Sequence, residues 1–138
     1  MYGNTEKMMN AVAQGVSGAG VELSIFDVAR THPSYILPSL WTRAGVVLGA
    51  PTYETNLFPP MEYLLHLCGL KKIHGRKYAM FGSHGWSGGA FKHASATVEP
   101  LGWRLHEALD FVGAPTDDDL RKGEAFGRTF AASIRENA

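Results

Sequence analysis

The chain has 138 residues, 45% of them hydrophobic, and its 13 Lys and Arg residues balance 13 Asp and Glu residues. This composition excludes a disordered chain, and it lacks the basic excess of a nucleic-acid-binding protein. The lone cysteine, Cys68, excludes an internal disulfide and a CxxC redox pair, so we expect a buried core thiol. No segment has the length of a membrane span or the pattern of a signal peptide, which favours a cytoplasmic protein without membrane contact.

Strands and helices alternate along the first half of the chain. Apolar residues at helical spacing predict a helix over Glu6–Val16. Val21–Val28 has the composition of a strand. A short helix is predicted over Ser34–Arg43, with Pro38 expected near its first turn. Ala44–Ala50 is a continuous apolar run, typical of a strand that is covered on both faces.

The same alternation continues through the second half. Pro59–Gly69 is predicted to be a helix that Gly69 ends, and Arg76–Gly82 a strand. A helix over Gly88–Leu101 and an extended stretch within Trp103–Gly113 follow, before a closing helix over Asp117–Asn137. This order indicates an α/β sandwich with a largely parallel sheet.

Three segments with unusual chemistry leave strand ends or open a helix. They are residues 1–5 (MYGNT), 50–60 (APTYETNLFPP) and 83–89 (SHGWSGG). A parallel sheet would bring all three to one rim, beyond the carboxyl ends of the strands, where such sheets bind ligands. We therefore expect the binding site at this rim.

The first segment suits a phosphate group. Gly3 lets the backbone approach a ligand, and Asn4 and Thr5 add side-chain donors at a helix N-terminus. The same residues would equally make an ordinary helix cap.

The other two segments suit a flat heteroaromatic ring. Tyr53 and Trp86 could stack on its two faces, while Gly85, Gly88 and Gly89 would let backbone N–H groups reach its polar edge. Packing of both aromatic side chains within the domain is the alternative.

The third segment also matches the G-x-S-x-G pattern of a serine-hydrolase nucleophile, with Ser87 in the centre. That site needs an acid and then a histidine further along the chain, and Glu99 followed by His106 is the available order. The predicted strand ends near Gly82, several residues before Ser87, which disfavours the hydrolase interpretation.

The motifs YGNTE, APTYETNLFPP and FGSHGWSGGAFK, in this order, resemble the flavodoxin-like domain of flavodiiron proteins along essentially the whole chain. The resemblance implies one domain over residues 1–138 with a flavodoxin-like three-layer sandwich, strand order 2-1-3-4-5, that binds flavin mononucleotide (FMN) non-covalently. In that family the flavin takes electrons from a rubredoxin or a flavin reductase and passes them to a diiron domain that reduces dioxygen or nitric oxide.

The resemblance also assigns the FMN-binding residues, and it assigns no catalytic residue. The stacking side chains would be Tyr53 and Trp86. The phosphate loop would comprise Tyr2, Gly3, Asn4 and Thr5; one flavin wall would comprise Pro51, Thr52, Tyr53, Glu54 and Asn56; and the other would comprise Ser83, His84, Gly85, Trp86, Ser87 and Gly88.

Two features depart from the family. The diiron-binding H-x-E-x-D-H signature is absent and the six histidines lack ligand spacing, so we predict no metal site and no diiron chemistry in this chain. Asp117, Asp118 and Asp119 are expected to stabilise a helix N-terminus instead.

The second departure is at the N-terminus, since a flavodoxin-like domain begins with a central strand that precedes the phosphate loop. We therefore expect an N-terminally truncated domain: either the chain is a fragment of a longer protein, or something else, such as a strand of a partner chain, fills the gap. Alternatives to the electron-transfer module are a free-standing flavodoxin or FMN-dependent reductase, and a flavin-free remnant that acts in association; a homodimer is compatible with each.

Overall fold

The computed structural model describes residues 4–49, 59–83, 89–111 and 114–136. In these ranges a three-stranded parallel sheet is covered by helices on both faces, which confirms the predicted flavodoxin-like α/β class. The strands are β1 (Gly45–Gly49), β2 (Lys77–Ser83) and β3 (Arg104–Phe111). The helices are α1 (Asn4–Gly18), α2 (Pro33–Thr42), α3 (Pro59–Leu70), α4 (Gly89–Val98) and α5 (Asp117–Glu136), with a 3₁₀ turn at Glu99–Leu101.

The sheet has the order β1-β2-β3, and both pairings are parallel. Gly49 lies opposite Phe81, and Ser83 lies opposite Phe111, so the carboxyl ends of the strands form one rim. The register of β3 shifts at His106, because Tyr78 pairs with Leu105 and Ala79 with Glu107. His106 is thus the extra residue of a bulge near the amino end of β3.

One core lies between the sheet and the layer formed by α2, α3 and α4. Trp103 is buried in it, and its indole Nε1–H donates to the carbonyl oxygen of Ile73 at 2.8 Å. The Tyr78 hydroxyl lies 3.2 Å from Ser95 Oγ and so ties β2 to α4. These bonds satisfy the polar ends of two large aromatic side chains inside an apolar cluster.

A second core lies between the opposite face of the sheet and the pair α1 and α5. The two helices approach so closely that their backbones touch. A β-carbon on Gly15 would overlap the Glu124 carbonyl, and one on Gly127 would overlap the Val12 carbonyl. Glycine is required at both positions because no side chain fits between the helices.

The predicted strand over Val21–Val28 is wrong. Residues 21–27 have no regular secondary structure, and within the described ranges no backbone hydrogen bond joins them to β1. Residues of strand-like composition form a strand only where a neighbouring strand pairs with them through backbone hydrogen bonds. Leu23, Ile25 and Phe26 consequently remain exposed, at 37%, 52% and 37%.

Several predicted boundaries also shift. Pro38 lies inside α2, beyond its first turn, because the helix begins at Pro33 and is capped by the His32 side chain, which accepts from Ser34 N–H at 3.1 Å. Gly69 lies within α3, and Lys72 adopts the left-handed conformation that ends the helix, with φ 57°.

The remaining elements match their predictions to within a few residues. The predicted helix over Gly88–Leu101 is observed as α4 and the 3₁₀ turn, and the extended stretch within Trp103–Gly113 contains β3. In the described ranges, no helix combines the length and apolarity needed to cross a membrane.

Candidate functional site

The candidate site begins from the carboxyl rim of the sheet. β1 and β2 are hydrogen-bonded neighbours, and they end at Gly49 and Ser83. The segments 50–58 and 84–88 leave from these adjacent ends and return to the N-termini of α3 and α4. The strand ends therefore place the starts of both predicted flavin walls side by side, as the parallel-sheet interpretation requires.

Most of the predicted FMN-binding residues lie outside the described ranges, and their roles stay predictions. Asn4 and Thr5 are the first two residues of α1, and Ser83 is the last residue of β2. The residues outside the described ranges are Tyr2, Gly3, Pro51, Thr52, Tyr53, Glu54, Asn56, His84, Gly85, Trp86, Ser87 and Gly88.

Thr5 has the most informative environment of the described site residues. Its Oγ1 is buried, and no hydrogen-bond partner for it occurs in the described part of the chain. A buried hydroxyl without a hydrogen-bond partner lowers stability by about 1–3 kcal/mol, unless a bound ligand forms the hydrogen bond. Because Thr5 lies in the first turn of α1, where backbone N–H groups are also free, the position fits a phosphate group.

The helices behind the two predicted walls are joined by a contact that sequence reasoning missed. His93 Nε2 of α4 lies 3.8 Å from Glu62 Oε1 in the first turn of α3. No spacing rule connects positions 62 and 93, so only the fold could reveal this contact. It links the helices that follow segments 50–58 and 84–88.

Gly49 and Phe81 pack together at the ends of β1 and β2. The Phe81 ring occupies the space that a β-carbon on Gly49 would need, and the ring is only 2% exposed. Glycine is therefore needed at the end of β1, because a side chain at position 49 would overlap the Phe81 ring.

Cys68 is a core thiol, as predicted. It is completely buried in α3, and burial raises the pKa of its thiol to about 11, although the Arg76 guanidinium opposes the rise. A protonated, inaccessible thiol is a poor nucleophile and a poor metal ligand. Arg76 itself donates to the Leu40 and Trp41 carbonyl oxygens and so caps the C-terminus of α2.

The acidic cluster at the start of α5 has the predicted structural role. Thr116 Oγ1 accepts from Asp119 N–H at 3.1 Å, and Asp119 Oδ2 accepts from Thr116 N–H at 3.0 Å, which forms a reciprocal cap. Asp118 pairs with Arg121 and Lys122. Across the described ranges, no group of three or more acidic, histidine or cysteine side chains has the arrangement of a metal site.

The fold also disfavours the hydrolase interpretation. Glu99 lies in the 3₁₀ turn that precedes β3, and His106 lies in the first part of β3. Both residues therefore occupy the amino end of the sheet, whereas the segment that contains Ser87 leaves from the carboxyl end. His106 packs against Phe130 of α5, with the ring centroids 5.7 Å apart.

A family model for flavodoxin matches residues 1–126. The chain belongs to the flavodoxin family. Among the relatives of this chain are the anaerobic nitric oxide reductase flavorubredoxins of Escherichia coli and Shigella flexneri, each 31% identical over 133 residues. Each alignment takes in 95% of this chain but only 28% of the flavorubredoxin, so the chain spans well under a third of these relatives.

Solved structures give the same result for the fold. A flavodiiron core from Synechocystis aligns with a TM-score of 0.87 at 25% identity, covering 100% of this chain and 34% of that one. The rubredoxin:oxygen oxidoreductase of Desulfovibrio gigas gives 0.89 at 22% identity, over 99% of this chain and 34% of that one. An archaeal flavodoxin aligns with a TM-score of 0.83 at 23% identity, covering 98% of this chain and 93% of that one. The predicted resemblance to the flavodoxin-like part of flavodiiron proteins is thus confirmed.

Proposed function

We propose that this chain binds FMN and serves as the electron-transfer module of a larger oxidoreductase system. The observation that carries the proposal is the buried Thr5 hydroxyl in the first turn of α1, for which the described residues offer no hydrogen-bond partner. A phosphate oxygen at this position would accept from the hydroxyl and from the free backbone N–H groups of the helix. The partial positive charge at the helix N-terminus would favour the phosphate dianion.

The flavin ring of FMN would lie between the two segments that leave the ends of β1 and β2. Tyr53 and Trp86, one on each segment, are proposed to stack on its two faces, and Gly85 and Gly88 to offer backbone N–H groups to its edge. FMN supplies the redox chemistry when bound, and the residues of this chain bind it, orient it and limit its contact with water. No general acid or base is needed for this role.

The proposed redox partners are a rubredoxin or flavin reductase as electron donor and a diiron domain as acceptor. The support is the homology to flavorubredoxins and to a flavodiiron core, of which this chain spans 28% and 34%. The formal net charge of zero suits electron exchange within an assembly better than long-range steering to a strongly charged carrier.

Quenching of FMN fluorescence on titration with the purified chain tests the proposal. We expect saturable quenching by the wild type and a loss of affinity of about tenfold or more in Trp86→Ala, because a stacked aromatic side chain contributes about 1–3 kcal/mol. Trp41→Ala is the matched control, since Trp41 lies on α2 and is 57% exposed. Equal affinities of the two variants would remove Trp86 from the site, and absence of quenching by the wild type would favour the flavin-free remnant.

A further inference from the structure

Helix α2 has an unusual sequence for a surface helix. Its residues, PSYILPSLWT, include no charged side chain. Ile36 and Leu40 are buried in the core, but Tyr35 and Trp41 are 72% and 57% exposed. A helix without a charged face is normally covered on all sides. The outer face of α2 is therefore typical of a surface that a partner covers.

The outer face of α2 forms one wall of a groove with a volume of about 330 Å³, and the segment after α3 forms the other wall. We call this groove the α2 groove. Its lining is apolar apart from one hydroxyl and one ammonium group, and it comprises Ser34, Leu37, Pro38, Trp41, Lys71 and Ile73. The α2 members follow the spacing i, i+3, i+4 and i+7, which places them on one face of the helix. The groove thus has room for a bulky apolar side chain of a partner.

The two walls of the groove carry positive charge only. Residues 28–53 and 63–98, which include both walls, contain no Asp or Glu, although the whole chain has a formal net charge of zero. Lys71 lines the groove and Lys72 follows it, and both are exposed. Neither lysine forms an ion pair within the part of the chain that the structure describes. Carboxylates of a partner at this edge of the groove would complement both charges.

The α2 groove lies next to the amino end of the sheet, away from the candidate FMN site. Trp41 precedes β1 by four residues, and Ile73 precedes β2 by four residues. The segments 50–58 and 84–88 leave from the opposite ends of the same two strands. A partner in the groove would therefore leave the carboxyl rim uncovered.

We propose that the α2 groove binds an acidic segment of a partner protein. A bulky apolar side chain of that segment would fill the groove between Trp41 and Ile73, and its carboxylates would pair with Lys71 and Lys72. Tryptophan is among the residues that contribute most to the binding energy of protein interfaces, so Trp41 would be the main contact. The proposal concerns a surface separate from the candidate FMN site and does not depend on FMN binding.

Titration of the isotope-labelled full chain with a synthetic peptide, followed by NMR, tests the proposal. The probe is acetyl-Glu-Asp-Leu-Phe-Asp-Glu-amide. One control peptide replaces Leu and Phe with Ser and so keeps the charge, and a second replaces every acidic residue with Lys and so keeps the apolar pair. We expect saturable shifts of the backbone amide signals of residues 34–43 and 70–76, with a Kd of about 1 mM or lower, and binding at least about tenfold weaker for each control peptide. Equal binding of either control peptide, shifts confined to other regions, or no saturable shift would overturn the proposal.

Two pairs of variants locate the binding surface. Trp41→Ala should weaken binding of the probe by about tenfold or more, whereas Tyr63→Ala, at a 56% exposed position of α3, should bind it like the wild type. Lys71→Glu should weaken binding by about fivefold or more, whereas Lys92→Glu, which makes the same charge change on α4, should not. The lysine pair decides the outcome if Trp41→Ala fails to fold.

Equal affinity of the probe for the groove variants and their controls would overturn the proposal. So would a dimer that shifts the same amide signals without peptide, because a second copy of the chain would then occupy the groove. Binding of phosphatidylserine vesicles through these residues, with no binding of the probe, would assign the surface to a membrane instead.

Discussion

Gly15 of α1 lies directly against the backbone carbonyl oxygen of Glu124 in α5. An added methyl group would force the two helices apart along the contact that closes the second core. We expect Gly15→Ala to lower the free energy of unfolding by about 1–3 kcal/mol, since over-packing at a backbone contact cannot relax by rotating a side chain. Urea denaturation followed by circular dichroism measures the change.

Gly18→Ala is the matched control for this substitution. Gly18 lies in the same helix, but a β-carbon there would meet no atom within 4 Å. Its free energy of unfolding should stay within about 1 kcal/mol of the wild type, with any gain coming from the helix propensity of alanine. A loss in Gly18→Ala as large as that in Gly15→Ala would show that helix contact is not the cause.

Lys72→Gly should stabilise the protein. Lys72 ends α3 with φ 57°, a left-handed conformation that costs an L-residue about 1–2 kcal/mol, and glycine adopts it without that strain. Because glycine is also more flexible in the unfolded chain, we expect a net gain of about 0.5–1 kcal/mol. Lys71→Gly should be destabilising because glycine has a low helix propensity and Lys71 is still helical. Its backbone N–H donates to the Leu67 carbonyl oxygen, four residues earlier. Thermal unfolding of both variants decides between this account and one in which residue 72 tolerates any side chain.

The stability of the protein should depend on the ionisation of Cys68 at alkaline pH. The folded state raises the pKa of this thiol from 9.0 to about 11 by burial, so the thiol keeps its proton where the unfolded chain has lost it. The contribution is therefore fully present below pH 9 and is lost as the pH rises towards 11. The loss should approach about 2–3 kcal/mol.

Urea midpoints at about pH 8 and about pH 10.5 check this prediction. Cys68→Ala should be less stable at both values because it leaves a cavity, but its stability should fall less between them. If the stability of the wild type and of Cys68→Ala fell equally between the two pH values, the loss at alkaline pH would come from other ionisable groups. The native thiol should also resist alkylation near neutral pH.

Thr5→Val separates the structural and ligand-binding roles of the buried Thr5 hydroxyl. Valine has the same shape without the oxygen, so in the absence of FMN the free energy of unfolding should stay unchanged or rise by about 1–2 kcal/mol. FMN affinity should fall by about tenfold, the value of one hydrogen bond to a charged group. Thr129→Val is the control, because that hydroxyl donates to carbonyl oxygens of its own helix α5 and lies away from the rim. Unchanged FMN affinity in Thr5→Val would remove Thr5 from the phosphate site.

Local sequence patterns predicted most of the fold because each pattern was realised within one element. The apolar run before Pro51 became β1, and the acidic turn at Asp117 became the start of α5. The strand prediction for Val21–Val28 was wrong for a non-local reason, since residues of strand-like composition need a hydrogen-bonded neighbouring strand. The left-handed Lys72 was unpredictable for a similar reason, because Gly69 nearby offered the usual residue for a helix end.

The sequence predicted the rim from which the proposed flavin segments leave, but not the contacts around that rim. The alternation of strands and helices predicted that the two proposed flavin segments leave from one rim of the sheet. The parallel register of β1 with β2 agrees with that prediction, because it places the carboxyl ends of the two strands side by side. The contact of Glu62 with His93 and the packing of Phe81 on Gly49 join residues distant in sequence, so one chain without its fold gave no signal of either. The stacking roles of Tyr53 and Trp86 remain predictions.

Calorimetric titration of the full chain with FMN and, separately, with riboflavin tests the central proposal most directly. The two ligands share the ring that the predicted walls would stack on, and only FMN has the phosphate that Thr5 and the N-terminus of α1 would bind. We predict saturable binding of FMN at least about tenfold tighter than that of riboflavin, a difference of about 1.4 kcal/mol or more. Equal affinities would contradict the phosphate site, and absence of binding of either ligand at about 100 μM would contradict the electron-transfer function itself.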